Sequence, residues 1–159
     1  MEYKNPYIGE QNDIANPNRT TEEILIWSEQ MAAIVLSFSS ADYNLRIGEF
    51  KRFFVERGWL EYASYLKGAK IIDRIKAEQC DVIAVVNGDS AVLNRGEVAG
   101  VYRWLVSVPL MVGFVKTDES GEQRQTGNAK FRLMLQLLRV ADGGKDGLAI
   151  EGFTMEETP

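Results

Sequence analysis

The side chains of this 159-residue chain best placed to do chemistry are cations and aromatic rings, because histidine is missing altogether. Without imidazole there is no Ser-His-Asp or Cys-His nucleophile system, no HExxH zinc site and no His-ligated haem or iron. Cys80 is the only cysteine, which rules out an internal disulfide, a CxxC pair and a four-cysteine metal site. It reads as a half-buried thiol at a helix-to-strand junction, since free cysteine behaves as a small hydrophobe. Gly144-Lys145 is followed by Asp146 and lacks the upstream glycine of a phosphate-binding loop, and neither GxGxxG nor GxSxG occurs. The stretch Asp142 to Gly147 begins like a calcium-binding EF-hand loop, but Gly144 stands third and Phe153 twelfth, where a glutamate is needed. Asp81, Asp89 and Glu97 border one loop region and read as solvated or capping carboxylates. These features predict no catalytic residue, no metal and no cofactor, hence a protein that is not an enzyme.

The cations are organised. Residues 1–44 carry 2 basic and 7 acidic side chains, residues 45–76 carry 8 and 4, and residues 77–159 carry 8 and 12, giving the net charge of −5. In the basic block, Arg46, Lys51, Arg52, Arg57, Lys67, Lys70 and Arg74 alternate with Phe50, Phe53, Phe54, Trp59, Tyr62 and Tyr65. Cations hold phosphates, and exposed rings stack unpaired bases for about 1–3 kcal/mol each. Core spacing claims the three phenylalanines, so Tyr62 and Tyr65 are the rings expected to be free. Arg103, Lys130 and Arg132 form a second basic surface, with Lys116 and Arg124 near its tip. That surface could track a phosphate backbone or receive an acidic arm from a neighbouring subunit, and the chain owns two such arms, its N-terminal segment and the tail Glu151 to Glu157.

The elements that must position these groups follow from hydrophobic period. Residues 1–19 are polar, with Pro6 and Pro17, and read as an extended arm before a single α+β domain over 20–159. They lack the apolar stretch of a secretory signal. Thr20 with Glu23 makes a capping box before an apolar stripe at helical spacing, Ile24, Trp27, Met31, Ile34, Val35 and Phe38. This predicts a helix over about 21–38. Leu25, Ile26 and Leu36 lie off that stripe, so either the helix lies at the centre of the fold or a second face, with these three residues, meets another chain. Two more helices are predicted, about 42–57 and about 59–78, the last burying Leu60, Ala63, Leu66, Ala69, Ile72 and Ile75.

After Cys80 the period changes. Strands are expected over about 81–86, 100–116, 124–139 and 148–154, forming an antiparallel hairpin or meander. Val98 to Val115 approaches membrane-spanning length, but Arg103, Pro109 and strict alternation from Tyr102 to Phe114 favour a strand. The run from 129 to 140 also fits a helix capped by Asn128; the strand is preferred because Ser120-Gly121 can turn the chain. Odd positions of one strand then face even positions of the other, Trp104 opposite Leu137, Val106 opposite Leu135, Val108 opposite Leu133 and Leu110 opposite Phe131. Pro109 cannot donate to a ladder and should sit at a bulge or an unpaired edge.

The function expected from these readings is a non-enzymatic structural subunit of a homo- or hetero-oligomer, of the kind found in viral particles or multisubunit complexes. It would act through protein contacts with itself or other subunits, in the cytoplasm or inside a virion, with no membrane partner. The alternative expectation is an accessory protein that binds single-stranded nucleic acid with the basic helices and the hairpin.

Overall fold

The capping box forms as the sequence requires. The Glu23 N–H donates to Thr20 Oγ1 at 3.2 Å and the Thr20 N–H donates to Glu23 Oε1 at 3.0 Å, opening helix α1 at Thr21–Val35. The structure, a computed structural model, describes residues 13–141 and 145–159. Helix α1 stops short of residue 38 because Phe38 leaves it to bond with Val82, each N–H donating to the other's carbonyl at 2.8 Å. Ile24, Trp27, Met31, Ala32 and Val35 are buried.

The second predicted helix is shorter than expected. Helix α2 spans Tyr43–Phe50, a 3-10 turn follows at Lys51–Phe53, and Phe54 is already extended. Phe54 bridges in parallel to Ile150, and the Val55 N–H donates to the Ile150 carbonyl at 3.0 Å. The tertiary contact, not local propensity, ends the helix here. The third predicted helix is two, α3 at Glu56–Gly68 and α4 at Ile71–Glu78. Between them Lys70 takes the left-handed conformation, φ 55°, which breaks the helical path.

Five strands follow: β1 Asp81–Val86, β2 Ala91–Val98, β3 Val101–Thr117, β4 Gln123–Arg139 and β5 Leu148–Thr158. The run from 129 to 140 is therefore a strand. Sheet order is β1-β3-β4-β5, with β2 also pairing β3. The four facing pairs predicted for the long hairpin all occur. Trp104, Val106, Val108 and Leu110 on β3 and Leu133, Leu135 and Leu137 on β4 are buried, facing the helical layer. β2 was not anticipated: its residues are mostly exposed, as an edge strand's are, and carry no apolar rhythm.

Pro109 sits where its missing donor costs nothing. β1 ends its pairing at Leu110 and β2 begins at Ser107, so Pro109 faces the break between two strands that share one edge of β3. Its carbonyl accepts the Asn87 N–H at 3.1 Å.

Helix α3 is rotated from the expected phase. It buries Gly58, Tyr62 and Leu66, while Leu60 is 59% exposed and Ala69 is exposed. The cause is Gly58: a Cβ there would lie 2.2 Å from the Ile150 carbonyl oxygen, so the helix backbone rests directly on β5. Residues 13–19 of the expected arm also lie against the domain. The Tyr102 N–H donates to the Ile14 carbonyl at 2.7 Å, and Arg139, buried, donates to the Asn16 carbonyl at 2.8 Å. Residues 1–12 of the arm, and Asp142, Gly143 and Gly144 of the glycine-rich loop, lie outside the described residues.

Candidate functional site

The basic block does not form one cationic surface. Arg57 pairs with Glu61 at 3.3 Å, one helical turn away, and Glu61 in turn accepts the Phe153 N–H at 3.1 Å, tying α3 to β5. Arg74 pairs with Glu78, lies 3.6 Å from the Phe114 ring centroid and donates to the Thr126 carbonyl. It is a clamp from α4 onto the hairpin. Arg46, Lys51, Arg52, Lys67 and Lys70 are exposed; Arg52 lies 5.0 Å from the Phe53 ring centroid and Lys51 Nζ 5.9 Å from that of Trp59.

Neither tyrosine is free for stacking. Tyr62 is fully buried, its hydroxyl donating to the Val35 carbonyl at 2.6 Å, and burial pushes the phenol far above its ordinary pKa. Tyr65 packs against Phe153 with centroids 5.9 Å apart, and burial, with Glu157 nearby, raises its pKa as well. The helical phase set by Gly58 explains both corrections.

Between α2 and the α3–α4 pair a groove of about 330 Å³ opens, floored by Ile47, Trp59, Ala63, Leu66 and Ile72 and edged by Lys67, Lys70, Asp73 and Asn44. Among the described residues neither Lys67 nor Lys70 makes an ion pair.

The second basic surface is neutralised within the chain at Arg103. Arg103 pairs with Glu151 of β5 at 3.1 Å, Gln136 donates to the same carboxylate at 3.2 Å, and Arg57 approaches it at 4.0 Å. Arg132 donates to Ser107 at 2.7 Å and stands opposite Glu156 in the β4–β5 register, while Lys130 stands opposite Thr158 and is exposed. The acidic tail expected to seek a neighbour is thus the last strand of its own sheet. A second cavity, about 510 Å³, lies over this cluster beside β2. The half-buried anchor Glu61 escaped the sequence reading, although its i, i+4 spacing from Arg57 signals it, and Glu151 was read there only as part of an acidic arm.

On α1, Leu36 is buried and cannot be a contact for another chain; the helix has ended and the side chain turns into the core. Leu25 is half-buried, and Ile26 and Ile34 are exposed. Asp81 and Glu97 do not converge: they pair with Val115 and Tyr102, thirteen residues apart on β3, roughly 40 Å. Cys80 is buried, and desolvation with Glu78 nearby raises its thiol pKa. No group of three potential metal ligands occurs among the described residues.

These surfaces belong to an α+β domain with helices on one sheet face and the Arg103–Glu151 pair on the other. The profile of a family described as a type-IV b secretion system inner-membrane complex component, DotI/IcmL, matches residues 8–157, and the chain belongs to that family. Three solved structures share the fold. A periplasmic fragment of TraM is 18% identical, with 87% of this chain and 98% of that one covered and a TM-score of 0.77. The periplasmic domain of DotI is 22% identical, with coverages of 88% and 97% and a TM-score of 0.76. An IcmL-like type IV secretion system protein of Legionella pneumophila is 14% identical, with coverages of 89% and 95% and a TM-score of 0.73. Among curated proteins, none matches the chain's sequence.

Family membership confirms a subunit of a multisubunit complex and corrects the rest of the expectation. A component of a bacterial secretion system's inner-membrane complex is neither viral nor a nucleic-acid-binding accessory, and its assembly is membrane-associated. The cytoplasmic or intravirion setting is overturned with it, the TraM and DotI structures being periplasmic pieces. No helix among the described residues is long and apolar enough to cross a membrane.

Proposed function

We propose that this chain is a periplasmic docking domain of a type IVb secretion system's inner-membrane complex, acting through contacts with other subunits or copies of itself and not through catalysis. The observation that carries the reading is the family match across residues 8–157, nearly the whole chain. The likeness in fold to periplasmic fragments along their whole length supports it. Leu25, Ile26 and the neighbouring Ile34 on α1 supply one contact surface. Two exposed isoleucines on one helix carry an apolar cost that a partner would remove.

The test uses the buried thiol to advantage. Cys80 is sealed, so Glu119→Cys, at the exposed tip between β3 and β4, gives one reactive site. Expressed in the whole protein, it should react with a membrane-impermeant maleimide while the inner membrane is intact. Labelling that appears only after the inner membrane is lysed would overturn the periplasmic placement.

A further inference from the structure

We propose that the groove between α2 and α3–α4 receives a short acidic amphipathic segment of a partner protein, an inference that rests on the reading of this chain as a complex subunit. The floor is apolar and recessed, with the Trp59 ring and the side chains of Ile47, Leu66 and Ile72 along it. Leu60, 59% exposed, continues the apolar strip outside the groove, since residues 60, 63 and 67 share one helical flank. Solvated apolar surface of this kind is stabilised by a partner that brings apolar side chains.

Charge narrows the partner further. Lys67 and Lys70 edge the groove, Asp73 is the one carboxylate lining it, and Lys51 stands over Trp59. Among the described residues, Arg46, Lys67 and Lys70 have no ion-pair partner. The block from 45 to 76 carries 8 basic and 4 acidic side chains in a chain of net charge −5. Of those four carboxylates, Glu61 is committed to Arg57 and β5, and Asp73 alone lines the groove, against Lys67 and Lys70. The field at the rim is therefore positive and complementary to carboxylates. An amphipathic helix laying apolar residues three and four apart on the floor places its flanking glutamates or aspartates beside the lysines. Nucleic acid is disfavoured because Tyr62 is sealed and Tyr65 packed, and a flat membrane surface cannot reach a recessed floor.

The purified 159-residue chain is panned at low salt against displayed random peptides about four helical turns long, and the recovered peptides are titrated by amide NMR and fluorescence polarisation. The expected peptides are net acidic with apolar residues three or four apart, and they shift amides within residues 44–47 and 59–73. Their affinity should fall about tenfold or more in Lys67→Glu with Lys70→Glu, and with rising salt. Ala63→Trp, which fills the floor without changing charge, should abolish binding; the charge variant, both of whose positions are exposed, keeps the test valid if the tryptophan disturbs folding. Recovery of neutral or basic peptides, shifts elsewhere, or no groove-directed peptide would overturn the proposal. So would binding of phosphatidylglycerol vesicles or of a second copy that is lost on the same charge reversal while no peptide binds. The labelling at residue 119 reads the cellular placement independently, so either reading can fail without the other.

Discussion

Tyr62 joins helices α3 and α1 through one oxygen. Its hydroxyl donates to the Val35 carbonyl at the end of α1, a group left without a helical partner by the end of the helix. Tyr62→Phe should lower stability by about 1–2 kcal/mol, because the buried carbonyl then has no donor. The same phenol sets an alkaline limit. Its pKa is raised in the folded chain by burial and is near 10 when unfolded, so the folded state keeps a proton that the unfolded state loses. The stabilisation is fully present below about pH 10 and falls as pH rises through the window above it. Denaturant titrations between about pH 9 and 11 should show a steeper loss for the native chain than for Tyr62→Phe; equal slopes would mean that another group, Tyr65 included, carries the alkaline transition.

At the scale of elements, Pro109 separates two ladders, and its position makes a directional prediction. Pro109→Ala should change stability by less than about 0.5 kcal/mol, because no ladder bond awaits the restored N–H. Met111→Pro, two residues on and paired with Val85, should cost about 1–3 kcal/mol by removing a paired donor. Urea midpoints of the two variants check this, and equal losses would mean that the gap between β1 and β2 is closed in solution. Pro109 was also legible in advance, as was the β3–β4 register, because period-two alternation with large side chains permits a single pairing. The phase of α3 was not legible. Its apolar residues allow two faces, and the choice is made by Gly58 resting on Ile150, a contact 92 residues distant. β2 was invisible for the opposite reason: an exposed edge strand has nothing to bury. The interior of the candidate site was misread because rings and cations that alternate in sequence, Tyr62 and Arg74 among them, went to the core and to the hairpin.

Across the whole molecule the helical layer and the sheet are fastened by three contacts at two residues of β5: Gly58 against Ile150, Val55 to the Ile150 carbonyl, and Glu61 to the Phe153 N–H. The domain should therefore unfold in one step, with far-ultraviolet circular dichroism and tryptophan fluorescence coinciding. Gly58→Ala forces α3 off β5, an overpacking expected to cost about 1–3 kcal/mol. At this size that corresponds to a melting temperature lower by about 2–12 °C, with both probes still moving together. Separate transitions would show that the layers are held independently. Acidic β5 also takes up charge of the hairpin: Arg103 meets the Glu151 carboxylate of its own sheet, and Arg132 stands across the ladder from Glu156.

Lys70 carries a design conflict. It is a lysine at φ 55°, a backbone state in which glycine would be more comfortable by about 1 kcal/mol. Any effort to harden this domain by relieving backbone tension would replace Lys70 first, and would erase half of the ammonium pair at the groove's rim. A sturdier protein obtained that way would be a poorer partner.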